Sequence, residues 1–246
     1  MMERSSIDEM EDTFRTIREN LARIRKNLAA AEAESPYKQK TSLLLATKTR
    51  TPEEINYAIS LGVDLIGENR VQELLDKYDA IDKDKVRIHF IGTLQTNKVK
   101  YIIDKVDMIE SVDRLDLARE IEKQAAKKNV VMDVLCEINI GRETSKSGVF
   151  PEDAEALICE MAKFPHLRVR GLMAIPPVLS TAEKQMEYFQ KIMSLCLDIS
   201  AKKIDNVSMA VLSIGMSSDY ELAARCGSTE VRIGTGVFGP RDYQIK

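Results

Sequence analysis

The chain has 246 residues, with 36 Lys and Arg against 39 Asp and Glu and a formal net charge of −3. That near balance leaves no basic footprint for nucleic acid. No apolar run approaches the ~20 residues that span a membrane, and the charged N-terminus lacks a signal-peptide core. Cys136, Cys159, Cys196 and Cys226 are widely spaced without a CxxC pair, a pattern of reduced thiols in a cytoplasmic protein rather than a disulfide frame or zinc site.

Ile7, Met10, Phe14, Ile17, Leu21, Ile24 and Leu28 recur at steps of three and four. This predicts one apolar stripe on a helix within residues 1–34, with Ser5 or Ser6 as N-cap. Docking of that stripe on the same chain is expected, with a coiled-coil seam as the alternative. The polar, proline-containing segment 32–40 reads as a connector.

From residue 43 onward strand-like and helix-like stretches alternate. Strands are predicted at 43–48, 65–67, 87–92, 108–111, 131–140, 169–175, 207–214 and 230–233. Helices are predicted at 52–60, 71–78, 96–104, 115–127, 152–163, 182–201 and 219–226. Alternation of this kind implies right-handed βαβ units and a parallel sheet, and eight strands imply closure. The expected fold is α/β: a single (β/α)8 TIM barrel with an extra N-terminal helix, one domain over residues 1–246. A doubly wound open sheet is the alternative, but no GxGxxG turn follows the first strand.

In such a barrel function collects where the strands end. Those ends carry Lys48, Glu68 and Asn69, His89 and Gly92, Glu137 and Asn139, Met173, Ser213, and Arg232. The first strand, Leu43-Leu44-Leu45-Ala46-Thr47-Lys48, places Leu44, Ala46 and Lys48 on one face. A lysine amine in partly apolar surroundings is a nucleophile toward carbonyls; the plainer reading is a strand-end lysine that snorkels into water.

Two glycine-rich turns follow strands seven and eight: Gly215-Met216-Ser217-Ser218-Asp219 and Gly234-Thr235-Gly236-Val237-Phe238-Gly239. Phosphate sites in barrels frequently occupy these two loops, although glycine also serves turns for steric reasons alone. Arg232 ends an apolar strand and needs a partner, either a carboxylate such as Glu137 or Asp219 or a ligand heteroatom. The polar loop 140–148 reads equally as a solvated connection, and Pro176-Pro177 as a rigid loop entry. His166 falls on the opposite rim and is expected to be structural. His89 is expected to be a hydrogen-bonded interior histidine, and with no cluster beside it no metal site is expected.

Seven ordered blocks resemble the YggS/PROSC family, the pyridoxal-phosphate homeostasis proteins. They are Leu45-Ala46-Thr47-Lys48-Thr49, Ile66-Gly67-Glu68-Asn69-Arg70-Val71-Gln72-Glu73, the run 89–98, Ser145-Lys146-Ser147-Gly148, the run 170–176, Leu212-Ser213-Ile214-Gly215-Met216-Ser217, and the closing run from Val231 to Asp242. The resemblance implies a barrel similar to the N-terminal domain of alanine racemase, with pyridoxal 5′-phosphate (PLP) as cofactor held as a Schiff base on Lys48. It further implies that Arg232 faces the pyridine nitrogen, that Ser217, Gly234 and Thr235 hold the phosphate, and that Asn69 and Met173 lie beside the ring. The family usually has Ser where Thr47 stands and His where Thr93 stands, so no imidazole role carries over to Thr93.

The same resemblance implies a carrier: a protein that stores, buffers or delivers PLP, with PLP-dependent apo-enzymes as acceptors and no catalytic residue of its own. Strong PLP catalysis wants a carboxylate at the ring nitrogen, where this family has an arginine. Racemisation wants an acid/base on each face of the substrate carbon. In the racemase the second-face tyrosine comes from a further β-domain and a dimer partner. The sequence ends soon after the run 238–243, so that domain is expected to be absent, and a monomer is expected because no second apolar seam is evident. A PLP-dependent amino-acid racemase or isomerase is the alternative, with Tyr243 or His89 as second base. A Schiff-base aldolase that uses Lys48 without PLP is the third reading.

Overall fold

A computed structural model of the chain describes residues 2–177 and 181–240, with side chains from Asp8 onward. Eight parallel strands close a barrel in sequence order. They are β1 (Ser42–Ala46), β2 (Leu65–Glu68), β3 (Arg87–Phe90), β4 (Met108–Val112), β5 (Met132–Ile138), β6 (Leu167–Ala174), β7 (Val207–Met216) and β8 (Glu230–Ile233). Closure is made by β1 on β8, where Leu44 pairs with Arg232 and Leu45 with Ile233. The helices are α1 (Met2–Glu34), α2 (Pro52–Ser60), α3 (Val71–Lys77), α4 (Val99–Ile102), α5 (Leu115–Lys128), α6 (Pro151–Ala162), α7 (Ala182–Ala201), α8 (Tyr220–Arg225) and α9 (Thr235–Phe238).

The period-two pattern of the strands builds two cores. Outward residues such as Leu45, Ile66, Phe90, Ile109, Val134, Val231 and Ile233 join the apolar layer beneath the helices. The inward set forms two small clusters, Leu44 with Leu65 and Ile91, and Met108 with Leu135 and Met173. Polar residues take several further inward positions: His89, Glu110, Ser213, Glu230 and Arg232 are all buried. This interior is therefore partly a hydrogen-bonded chain rather than a wholly apolar plug.

Local chemistry sets the helix ends. Thr51 caps α2 in a capping box with Glu54, and Pro52 opens it. Asn129, in the left-handed region at φ 52°, closes α5. The predicted helix at 96–104 reduces to a single 3₁₀ turn, Thr96–Lys98, followed by the one turn of α4.

The stripe on α1 packs on the same chain. Ile17, Leu21, Ile24, Leu28 and Ala31 are buried, and Phe14 stacks on Tyr57 of α2 with centroids 4.1 Å apart. Burying each large aliphatic side chain contributes ~1.5–3 kcal/mol. Polar contacts fix the register: Asn20 donates to the Val237 carbonyl at 3.0 Å, and the Arg25 guanidinium to the Leu61 and Gly62 carbonyls at 2.8 Å each. The start of the stripe differs from expectation, because Met10 is 48% exposed and the Ile7 side chain lies outside the described residues. The N-cap reading also fails: α1 already runs from Met2, so Ser5 and Ser6 sit inside the helix. Among the described residues no helix is long and apolar enough to cross a membrane, and all four cysteines are free thiols.

Candidate functional site

The first strand ends at Ala46, two residues earlier than the sequence suggests. Pairing persists one residue further, since the Thr47 N–H donates to the Gly67 carbonyl at 3.0 Å. The Thr47 side chain turns outward: its hydroxyl donates to Glu68 Oε1 at 2.5 Å. Alternation then leaves Lys48 on the inward register of Leu44 and Ala46, half-buried at the C-terminal rim. Behind it the chain turns sharply through Thr49, at φ 64°, whose N–H donates to Glu73 Oε2 at 2.9 Å.

Glu68 was expected at the rim and does not face it. Its carboxylate points out of the barrel to Lys77 of α3, at 2.5 Å, and that amine also donates to the Thr47 carbonyl at 2.9 Å. A charge on β2 is offset by a cation on the covering helix, so Glu68 braces the peptide before Lys48 instead of lining the site.

The loops after β7 and β8 come together. Ser217 Oγ accepts from the Gly236 N–H at 3.1 Å and lies 3.3 Å from Thr235 Oγ1. Asp219 tightens the first loop by accepting from the Met216 N–H at 2.6 Å and from Gln185 at 3.1 Å. Burial raises the Asp219 carboxyl, while the Met216 N–H and the Arg232 charge pull it down. Gly234 brings this cradle against the first strand, because a Cβ there would lie 3.2 Å from the Ala46 carbonyl oxygen. A cavity of about 590 Å³ opens beside Ser217 and Ser218 and runs between α7, α8 and Arg23 of α1.

Arg232 projects into the barrel and is 5% exposed. Its Nη1 donates to the Ser213 carbonyl at 2.7 Å and to Ser213 Oγ at 2.6 Å, and its Nη2 to the Ala174 carbonyl at 2.9 Å. Its hydrogen bonds thus go to β6 and β7 and not to Glu137 or Asp219, the carboxylates considered from sequence. Met173, one residue before Ala174, is buried on the same wall with Met108 and Leu135. Asn69 follows β2 with its backbone against Gly92, and its Oδ1 is buried without a hydrogen-bond partner.

Three rim residues have other duties. Asn139 braces its own loop, donating to the Glu143 carbonyl at 2.8 Å and accepting from the Glu143 N–H at 3.1 Å. Thr93 meets Ser147 of that loop, hydroxyl to hydroxyl at 3.1 Å. His166 is held on the opposite rim by Glu122 at 2.8 Å. Tyr243 lies outside the described residues. His89 is unsuited as a rim base, since it is buried in the interior with Nδ1 2.7 Å from Glu110.

His89 does have a cluster beside it, contrary to the expectation from sequence. Ligand atoms of His89, Glu110 and Glu230 all lie within 4.8 Å of one another. The three come from β3, β4 and β8, and nothing in their sequence spacing announces the meeting. Glu137 is the other residue underrated from sequence. It pairs in register with Met173, is raised to about 7 by burial and by Asp113, and lines a cavity of about 300 Å³ with Ser145, Lys146 and Ser147. Its inward position on β5 was countable by twos.

An eight-stranded barrel with a strand-end lysine, an interior arginine and a hydroxyl cradle after the last two strands defines a class, and residues 19–242 match the family model described as alanine racemase, N-terminal domain. A pyridoxal phosphate homeostasis protein of Aquifex aeolicus is 47% identical over 201 residues, 82% of this chain and 87% of that one. An unknown protein from Bifidobacterium adolescentis superposes with a TM-score of 0.86 at 33% identity, covering 92% of this chain and 96% of that one. PipY of Synechococcus elongatus, in a structure with PLP bound, gives 0.79 at 28% identity, covering 91% of this chain and all of that one. The chain belongs to the pyridoxal phosphate homeostasis proteins, within the alanine racemase N-terminal-domain family.

Proposed function

We propose that this chain binds PLP and serves PLP homeostasis, storing, buffering or delivering the cofactor, with the whole chain acting as one cofactor-binding unit. The observation that carries the reading is the approach of Gly234 to Ala46, which sets the Ser217–Thr235–Gly236 cradle beside the strand that ends in Lys48. An amine for the aldehyde and a hydroxyl-lined turn for the phosphate are the two anchors that PLP requires.

The remaining residues fit the same group. Met173 offers an apolar surface for the ring, and the orphaned Asn69 Oδ1 is a buried acceptor that a ligand donor would satisfy. Arg232 would meet the ring nitrogen with a permanent positive charge. Bound PLP supplies an electron sink for bond-breaking at amino-acid α-carbons. A guanidinium keeps the ring nitrogen unprotonated and that sink weak, which favours a carrier over a racemase. PLP-dependent apo-enzymes in the cytoplasm are the acceptors we propose, with the carrier acting as a monomer.

Two assays test the function. Protein loaded with PLP and mixed with an apo-transaminase should restore its activity faster than free PLP released to a trapping agent. Incubation with a panel of amino acids in deuterium oxide should leave their α-hydrogens unexchanged. Exchange that vanishes in Lys48→Ala would instead establish the racemase reading.

A further inference from the structure

We propose that Glu110, Ser213 and Glu230 hold one shared proton in a closed chain inside the barrel, and that the two glutamates are positioning residues for Arg232. The proposal rests on the reading that Arg232 meets the cofactor's ring nitrogen, and extends it to residues that do not touch the ligand.

The argument is a count of hydrogens. Ser213 Oγ has three partners: Arg232 Nη1 at 2.6 Å, Glu110 Oε2 at 2.7 Å and Glu230 Oε1 at 2.8 Å. The guanidinium has only hydrogens to give, so it takes one lone pair of the hydroxyl. One hydrogen and one lone pair then remain for two carboxyl oxygens. If both glutamates were ionised, one oxygen would face a lone pair at hydrogen-bond distance. Every contact is satisfied when one carboxyl is an acid that donates to Oγ and the other is a carboxylate that accepts from it.

The surroundings of the two carboxyls decide which is which. His89 Nδ1 lies 2.7 Å from Glu110 Oε1 and 3.7 Å from Glu230 Oε2. A neutral imidazole protonated on Nδ1 donates to Glu110 Oε1, a bond that either form of that carboxyl accepts. The Arg232 charge and the hydrogen bonds of Ser213 and Glu230 favour the charged form of Glu110, whereas the Glu110 charge disfavours that of Glu230, so Glu110 is the anion and Glu230 the acid. Burial acts in the same sense: it lowers His89, which keeps the ring neutral, and it raises both carboxyls, Glu230 to about 8. The result is one guanidinium, one carboxylate and otherwise neutral groups. That arrangement explains how Arg232 is buried with no carboxylate of its own, since an uncompensated interior charge is costly.

The titratable groups acting on Glu230 are Glu110 on β4 and His89 on β3, and Arg232, two residues along β8, acts on Glu110. Arg87, Asp107 and Asp133 surround His89 at the N-terminal mouth, and Glu137 and Asp219 feel the Arg232 charge. A cavity of about 430 Å³ at that mouth, lined by Arg87, Asp107, Asp133 and Arg168, reaches His89. The chain can exchange its proton with solvent from the face opposite the cofactor rim. When Glu230 ionises, a second anion appears near Arg232 and one hydroxyl hydrogen must serve two carboxylates, so the guanidinium is drawn inward and its hold on the ring nitrogen weakens.

Infrared spectroscopy of the unloaded protein tests the proton directly. In a Glu137→Gln background, which removes the rim carboxyl raised to about 7, a protonated-carboxyl carbonyl band should be present at neutral pH. It should titrate away in the alkaline range and be missing in Glu137→Gln/Glu230→Gln. No such band, a band that survives Glu230→Gln, or a stoichiometric divalent metal in the purified protein would overturn the chain. PLP titrations at pH 7 and pH 9 then test the positioning role. The ratio of wild-type Kd values between the two should exceed that of Glu230→Gln by on the order of tenfold. Equal ratios in the two proteins would overturn that role while leaving the infrared result standing. Failure of both proteins to bind PLP would count against the proposed function and not against the proton count.

Discussion

Lys77→Met is the substitution whose consequence the structure fixes most closely. Lys77 Nζ lies 2.5 Å from Glu68 Oε1 and 2.9 Å from the Thr47 carbonyl oxygen, and the two side chains are 10% and 0% exposed. Methionine fills the volume of the lysine stem but removes the cation. Glu68 would then keep only the Thr47 hydroxyl, with its Oε2 already lacking a partner. Breaking a buried pair from one side costs ~3–5 kcal/mol, because the remaining charge stays buried. In a chain of this length that corresponds to a fall in Tm of roughly 6–20 °C. Urea denaturation followed by circular dichroism measures the loss, and PLP titration measures the looser peptide before Lys48. The control is Glu68→Gln/Lys77→Met, in which no charge is left uncompensated and most of the loss should be recovered. A single-variant loss below ~1 kcal/mol, or strictly additive losses in the double variant, would refute the reasoning.

Three further outcomes follow from the site. Ser217→Ala and Thr235→Val should each weaken PLP binding by roughly 10- to 100-fold, the worth of one hydrogen bond to a charged group, as read by fluorescence titration. Gly92→Ala should cost roughly 3 kcal/mol or more, because the new Cβ would sit 2.0 Å from the backbone oxygen of Asn69; a near-normal urea midpoint would contradict that packing. Glu137 has its carboxyl raised to about 7, so the native state binds its proton more tightly than the unfolded chain does. Its contribution is complete below the unfolded value near 4.5 and is lost as pH rises to about 7, ~3 kcal/mol in all. Stability measured against pH should therefore fall less steeply over that window in Glu137→Gln.

The barrel was legible because its strands are short apolar runs of period two, and because each is followed by a helix with a clear stop. Lys48, Ser217, Gly234 and Thr235 were legible as places for the same reason: they sit at strand ends, and strand ends in this fold share one rim. What stayed hidden was direction and long-range meeting. Glu68 ends its strand like a site residue, yet a lysine on the next helix draws it outward. Asn139 reads as a rim amide but is committed to its own loop. Glu110 is a single glutamate within Met108–Val112 and Glu230 opens the strand Glu230–Ile233, and their approach to His89 depends on barrel closure. Period-two counting puts them inward without revealing which strands face each other.

The central claim is that Lys48 carries the cofactor, and borohydride reduction tests it most directly. Purified protein loaded with PLP should show a visible absorption band that reduction bleaches. Peptide mass spectrometry should then find the reduced label on Lys48, and Lys48→Ala should show neither band nor label. No visible band after PLP is added, or a label on another lysine, would contradict the account.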